Sequence, residues 1–220
     1  MKTQQAVAIN PVAAVLLGVC VGTALSSAAA AQLEESFGSS SGSVWQSDVG
    51  QGFRKGANEF SMSLGFGLGV AAFGGRERHD WGLGFADYGW MLSGVVAKDH
   101  WYRGNWELLR DLFGGFQYYP DHAFVVGAAP ILRYNLATGT RWVPFFSLGG
   151  GVVGTDIRDG DLSTKFEFNL QGGPGVHYFL KENLSLTFQY RFIHISNAGL
   201  SSPNLGVNSN TLMAGLTWFF

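Results

Sequence analysis

"KFEFNLQGGPGVHYFLKENLSLTFQYRFIHIS" occupies Lys165–Ser196. Phe166, Phe168, Leu170, Val176 and Tyr178 alternate there with Lys165, Glu167, Asn169, Gln171 and His177. After "KEN", Leu184, Leu186, Phe188, Tyr190 and Phe192 alternate with Ser185, Thr187, Gln189 and Arg191. A period of two is the signature of a β-strand, and a short polar break between two such runs is that of a hairpin. One face is large and apolar, and the other is small or polar. A soluble sandwich or lipocalin would carry its polar face outward, on shorter strands. An apolar exterior around a narrow interior of small and polar side chains suits a closed barrel in a membrane, which leaves no unpaired edge in lipid.

The same pattern extends in both directions. Phe60, Met62, Leu64, Phe66, Leu68 and Val70 alternate with Glu59, Ser61, Ser63, Gly65, Gly67 and Gly69. Leu212, Ala214, Leu216, Trp218 and Phe220 share one face of the final run. Turn chemistry in "GGRERHD", "KDHWYRG", "YYPDH", "LATGTR", "TDIRDGDLS", "KEN" and "NAGLSSPNLG" separates eight strand candidates. They cover Asn58–Phe73, Trp81–Ala97, Asn105–Tyr118, Ala123–Asn135, Trp142–Gly154, Thr164–Leu180, Leu184–Ser196 and Val207–Phe220. In the third, Trp106, Leu109 and Phe113 also fit a helical spacing, but the glycines and "FQYY" that follow suit a strand better. The predicted fold is all-β: an eight-stranded antiparallel transmembrane β-barrel over residues 58–220.

Composition is consistent with this. The 220 residues include 32 glycines, 15% aromatics and only 14% charged residues, with a net charge of -2 that gives nucleic acid nothing to bind. Residues 1–31 read as a signal peptide: Lys2, an apolar run, then Ala29 and Ala31 in an A-x-A cleavage pattern. A membrane anchor, or a lipoprotein signal ending at Cys20, fits less well. Cys20 is the only cysteine, so the processed chain has no disulfide and no cysteine metal site. The remaining histidines, His79, His100, His122 and His177, lack metal-ligand spacing, and no metal or cofactor is expected. Residues 32–57, rich in Ser and Gly, read as an N-terminal extension. The chain ends on Phe220 after an alternating apolar run, which resembles the assembly signal of bacterial outer-membrane barrels. These features place the chain in the outer membrane after signal cleavage. Strand counting then puts "NAGLSSPNLG" on the cell exterior and "KEN" on the periplasmic side. Eight strands leave no open channel.

His194 and Ser196 continue the outward register of the seventh strand, close to its exterior end. Residues two apart share a face and lie about 6.6 Å apart, a gap that an imidazole can nearly span. Such a pair is the minimum for an activated serine nucleophile. Asn208 has outward parity on the last strand, a candidate neighbour of His194, and backbone amides near Asn197–Gly199 are candidates for an oxyanion hole. Alone, "H-x-S" is a weak signal, and interfacial side chains tolerated at a strand end are the plainer reading.

"HISNAGLSSPNLG", His194–Gly206, resembles the signature of the PagL-type lipid A 3-O-deacylases. The resemblance implies an eight-stranded outer-membrane barrel with a serine-hydrolase site on its outer wall. It implies hydrolysis, without cofactor, of the ester-linked 3-hydroxyacyl chain at position 3 of lipid A, the outer-leaflet partner. It implies His194 as the catalytic histidine, Ser196 as the nucleophile and Asn197 in the asparagine position associated with the oxyanion hole. Gly199, Pro203, Asn204 and Gly206 match the loop pattern, and Phe192 is placed to meet an acyl chain. One position departs: the family pattern has a glutamate where this chain has Asn208. The alternatives left open are a non-catalytic structural or lipid-binding barrel and a lipid acyltransferase barrel. A homo-oligomer is also left open.

Overall fold

The computed structural model describes residues 53–157 and 160–220; the expected signal peptide and residues 32–52 of the expected extension lie outside the described residues. Eight strands follow one another: β1 (Asn58–Gly69), β2 (Asp80–Met91), β3 (Gly104–Tyr119), β4 (Ala123–Leu136), β5 (Trp142–Thr155), β6 (Phe166–Lys181), β7 (Leu184–Ser196) and β8 (Val207–Phe219). Each pairs antiparallel with its sequence neighbour, and β1 pairs with β8 from Glu59↔Phe219 to Gly69↔Ser209, which closes the barrel. Closure gives every strand two hydrogen-bonded neighbours, the condition for a sheet to survive in hydrocarbon.

The alternation predicted for β1, β6 and β7 sets the faces. Along β7 the odd-numbered residues are buried in the lumen, while Leu184 through Ser196 at even numbers face out. Leu64, Phe66, Leu148, Leu170 and Leu212 stand exposed on the outer wall. Aromatic pairs ring the end where β1 begins and β8 ends: Trp106 with Tyr134, Trp142 with Tyr178 and Phe60 with Trp218. Such girdles belong at a membrane interface.

Three expectations are corrected. β1 stops at Gly69 instead of Phe73, and β2 at Met91 instead of Ala97. Beyond Gly69 the chain folds back in a tight turn, where Gly75 N–H donates to Ala72 O. Beyond Met91 the residues leave the β1–β2 ladder and form a looped connection, tied back to β3 by hydrogen bonds of Leu92 and Ser93 to Trp106 and by the Val96↔Gly104 bridge. Before β1, Phe53 is buried at the barrel's end against Phe219. The lumen is not lined only by small and polar groups. Trp81, Leu83 and Phe85 of β2 point inward with Phe113, Ile193 and Ile195. The glycines of β1 make room for them, since a Cβ at Gly67 would overlap the Trp81 ring and one at Gly65 would press on Phe85.

The polar side chains occupy the middle of the lumen between apolar clusters. Arg133 pairs with Glu59 at 2.6 Å and with Glu107 at 3.5 Å, and Arg191 pairs with Asp111 at 2.7 Å. Gln171 of β6 donates to Asp111 of β3 and Gln189 of β7 to Ser147 of β5, so strands that are not neighbours in the sheet are cross-linked through the interior.

Candidate active site

β7 and β8 lie side by side with His194 opposite Asn208 in the ladder. The site is therefore assembled from adjacent strands at the end of the barrel opposite the start of β1 and the end of β8. His194 and Ser196 both face outward and are half-buried. Ser196 Oγ lies 3.1 Å from His194 Nε2, and His194 Nδ1 lies 2.7 Å from Asn208 Oδ1. The sequence-predicted trio of His194, Ser196 and Asn208 is thus brought together in one hydrogen-bonded row.

Asn208 is only 1% exposed although it has outward parity. The β1–β2 connection covers it: Asn208 Nδ2 donates to Ala72 O at 2.6 Å. Phe73 lies beside the site, its ring centre 6.0 Å from those of both His194 and Phe192. Neither Ala72 nor Phe73 was singled out from the sequence. Alternation extended β1 through Phe73, which hid the turn.

The loop after β7 is organised by Asn197, whose side chain is buried. Asn197 Oδ1 accepts Gly199 N–H at 3.0 Å, and Asn197 Nδ2 donates to Ser163 Oγ and Ser201 O. Asn197 N–H donates to Asn204 Oδ1 at 2.8 Å. The backbone amides of Asn197 and Gly199, expected as oxyanion donors, are therefore engaged within the loop. Asn204, by contrast, has its carboxamide oxygen fixed at the residue after Ser196, while its nitrogen has no partner among the described residues. Phe192 sits one outward position below His194. Further along the same wall, Leu64, Phe66, Phe188, Tyr190, Leu212 and Ala214 line an apolar groove. Among the described residues no group of three or more His, Cys, Asp or Glu is arranged to hold a metal ion.

A closed barrel with an apolar wall, an aromatic girdle and a filled lumen defines a transmembrane β-barrel of the outer-membrane type. Lipid A 3-O-deacylase (PagL) is the family whose model matches residues 84–217, more than half of the chain, and the chain belongs to that family. The lipid A deacylase PagL of Pseudomonas aeruginosa is 34% identical over 128 residues, covering 56% of this chain and 66% of that relative, just under two thirds of its length. The crystal structure of the outer membrane enzyme PagL superposes with a TM-score of 0.52 at 20% identity, over 70% of this chain and 97% of that one. That of Neisserial surface protein A gives 0.55 at 15% identity, over 76% and 100%. At those identities the two superpositions speak for the fold alone.

Proposed function

We propose that the protein is an outer-membrane serine esterase that removes an ester-linked 3-hydroxyacyl chain from lipid A, using Ser196 and His194 on the lipid-facing wall. The observation that carries this reading is the row Ser196–His194–Asn208, with both donor–acceptor distances in hydrogen-bonding range. Family membership supports the substrate, and the closed barrel with its apolar wall supports the location.

The reaction has two stages. Ser196 Oγ attacks the ester carbonyl carbon while His194 Nε2 takes the hydroxyl proton. A tetrahedral oxyanion forms, and Asn204 Nδ2 is the donor we assign to it. Collapse breaks the acyl C–O bond, and His194 returns the proton to the departing sugar hydroxyl. Water, deprotonated by His194, then attacks the acyl carbon, the Ser196 Oγ–acyl bond breaks, His194 returns the proton to Oγ, and the 3-hydroxy fatty acid leaves. Phe192 and the groove below it offer an apolar surface to the chain being cut. Lipid A would reach the site sideways within its leaflet.

A second reading is favoured by one observation: an amide stands where the family pattern has the acid. It is a lipid-binding wall without turnover. Mass spectrometry of lipid A from cells expressing the chain decides between them. Loss of one hydroxyacyl mass with the wild type, and none with Ser196→Ala, is the expected result. An unaltered lipid A profile with the wild type would sink the esterase reading.

A further inference from the structure

We infer that the peptide carbonyl of Ala72, on the β1–β2 turn, is a positioning group for the relay. It holds the Asn208 carboxamide in the one orientation that leaves His194 able to act as a base. The inference rests on the reading of Ser196 and His194 as nucleophile and base.

An asparagine beside a catalytic imidazole is ambiguous in a way that a carboxylate is not. Both carboxylate oxygens accept, so either way round the imidazole must present Nδ1–H. A carboxamide has one acceptor and one donor. If its nitrogen faces the ring, Nδ1 becomes the acceptor and the proton moves to Nε2, the atom that should receive the serine proton. Exchanging the triad aspartate of a serine protease for asparagine lowers turnover about 10⁴-fold through this wrong tautomer.

Here the ambiguity is removed from outside the two strands. Ala72 O is 2.6 Å from the far end of the Asn208 carboxamide. Two oxygens repel at that distance, so the nitrogen faces Ala72 and the oxygen faces His194. His194 Nδ1 then carries the proton and donates to Asn208 Oδ1, and Nε2 accepts from the Ser196 hydroxyl. Every donor in the row points the same way and the row ends on a backbone carbonyl. What the amide still lacks is the full negative charge beside the imidazolium, so the tautomer part of the usual loss is avoided and the charge part remains.

The turn is built to hold that carbonyl in place. Ala72 O also accepts Gly75 N–H at 3.0 Å, which makes residues 72–75 a tight turn. Its central residues have positive φ, 50° at Phe73 and 100° at Gly74. Glycine or asparagine is the usual choice there, and phenylalanine in that region is strained. The strained side chain is the one that sits against the His194 ring. Gly75 fits tightly: a Cβ there would press on Gly206 O and lie 3.1 Å from Asn208 Nδ2.

The test uses two turn variants, each made in the Asn208 and in the Asn208→Asp background. Gly75→Val lifts the turn from Asn208. Gly74→Val strains the turn without aiming a side chain at Asn208, since the nearest atom to its Cβ is Leu205 O at 3.4 Å. The full chain is labelled with ¹⁵N-histidine in lipid nanodiscs, and His194→Gln identifies the His194 signals. Wild type is expected to show the Nδ1–H tautomer. Either turn variant is expected to populate Nε2–H and to lower kcat at least about 10-fold, with a smaller change in KM.

In the Asn208→Asp background either end of the side chain accepts, so orientation no longer matters. The loss caused by the turn variants is then expected to shrink at least about 5-fold, as coupled neighbours do. Equal losses in both backgrounds, or an unchanged tautomer in both turn variants, overturns the inference and leaves the turn a structural element only. The tautomer needs no substrate, so it decides the matter even where Ser196→Ala shows the esterase reading to be wrong.

Discussion

At the scale of single residues, the site depends on a glycine that makes no hydrogen bond to the relay. Gly206 has φ +82°, and a Cβ built on it would lie 2.8 Å from His194 Cε1. No real Cβ contact is that short, and the imidazole is the movable partner. Gly206→Ala is therefore expected to displace the ring and lower kcat on lipid A by about 10²-fold, as a misplacement near 1 Å can. Gly199 is the comparison: its φ is +83°, yet a Cβ there meets nothing within 4 Å. Gly199→Ala adds backbone strain of about 1–2 kcal/mol without touching the ring, so its activity loss should be clearly smaller. Equal losses from the two variants would mean that strain in the loop, and not the position of His194, controls the site. His194 and Ser196 were legible in the sequence because alternation fixes outward parity. The steric role of Gly206 was not, because it arises where the β7–β8 loop returns over its own strand.

At the scale of elements, three loops are fastened together by one buried aspartate between β5 and β6. Asp161 Oδ2 accepts the N–H groups of Arg76 and Glu77 at 3.2 and 3.0 Å and meets His79 Nε2 at 3.3 Å. Its backbone oxygen accepts the N–H groups of Leu205 and Gly206. The same residue thus ties down the β1–β2 connection, which carries Ala72, and the β7–β8 loop, which carries Asn204. Hydrogen bonds to a charged acceptor contribute about 1.5–3 kcal/mol each. Asp161→Ala should speed amide exchange at Arg76 and Glu77 and reduce deacylation, while the strand amides keep their protection. Normal exchange at those two amides would show that the aspartate is not what holds the connection. Nothing in "TDIRDGDLS" distinguished Asp161 from its acidic neighbours, because its partners are backbone amides brought near by barrel closure. The strands themselves were readable wherever one face was uniformly apolar. β2 inverts the size pattern, with Trp81, Leu83 and Phe85 inside and Gly82, Gly84 and Ala86 outside. Its true end was hidden because the apolar "LSGVV" after Met91 continued the run.

At the scale of the whole molecule, scaffold and site can be separated. The wall carries the Ser196–His194–Asn208 row, and the lumen holds the cylinder together through ion pairs on its other side. Arg133 is nearly fully buried between Glu59 and Glu107, and its guanidinium lies 4.4 Å from the centre of the Phe145 ring. Replacing such a pair whole can be neutral, whereas removing one partner leaves charge stranded in the interior and costs about 3–5 kcal/mol. Arg133→Met strands two carboxylates at once. Its free energy of unfolding, from guanidinium titration in lipid vesicles, should fall by that amount, and Arg133→Met combined with Glu59→Gln and Glu107→Gln should recover much of the loss. Because Ser196, His194 and Asn208 face the other way, the single variant should keep its tautomer and its lipid A activity at temperatures where the barrel remains folded. A loss of activity in the folded variant, matching the loss in stability, would mean that strain passes through the wall from lumen to site. The two faces of β7 and β8 would then be one mechanical unit, and catalysis on the outside would depend on charge balance within.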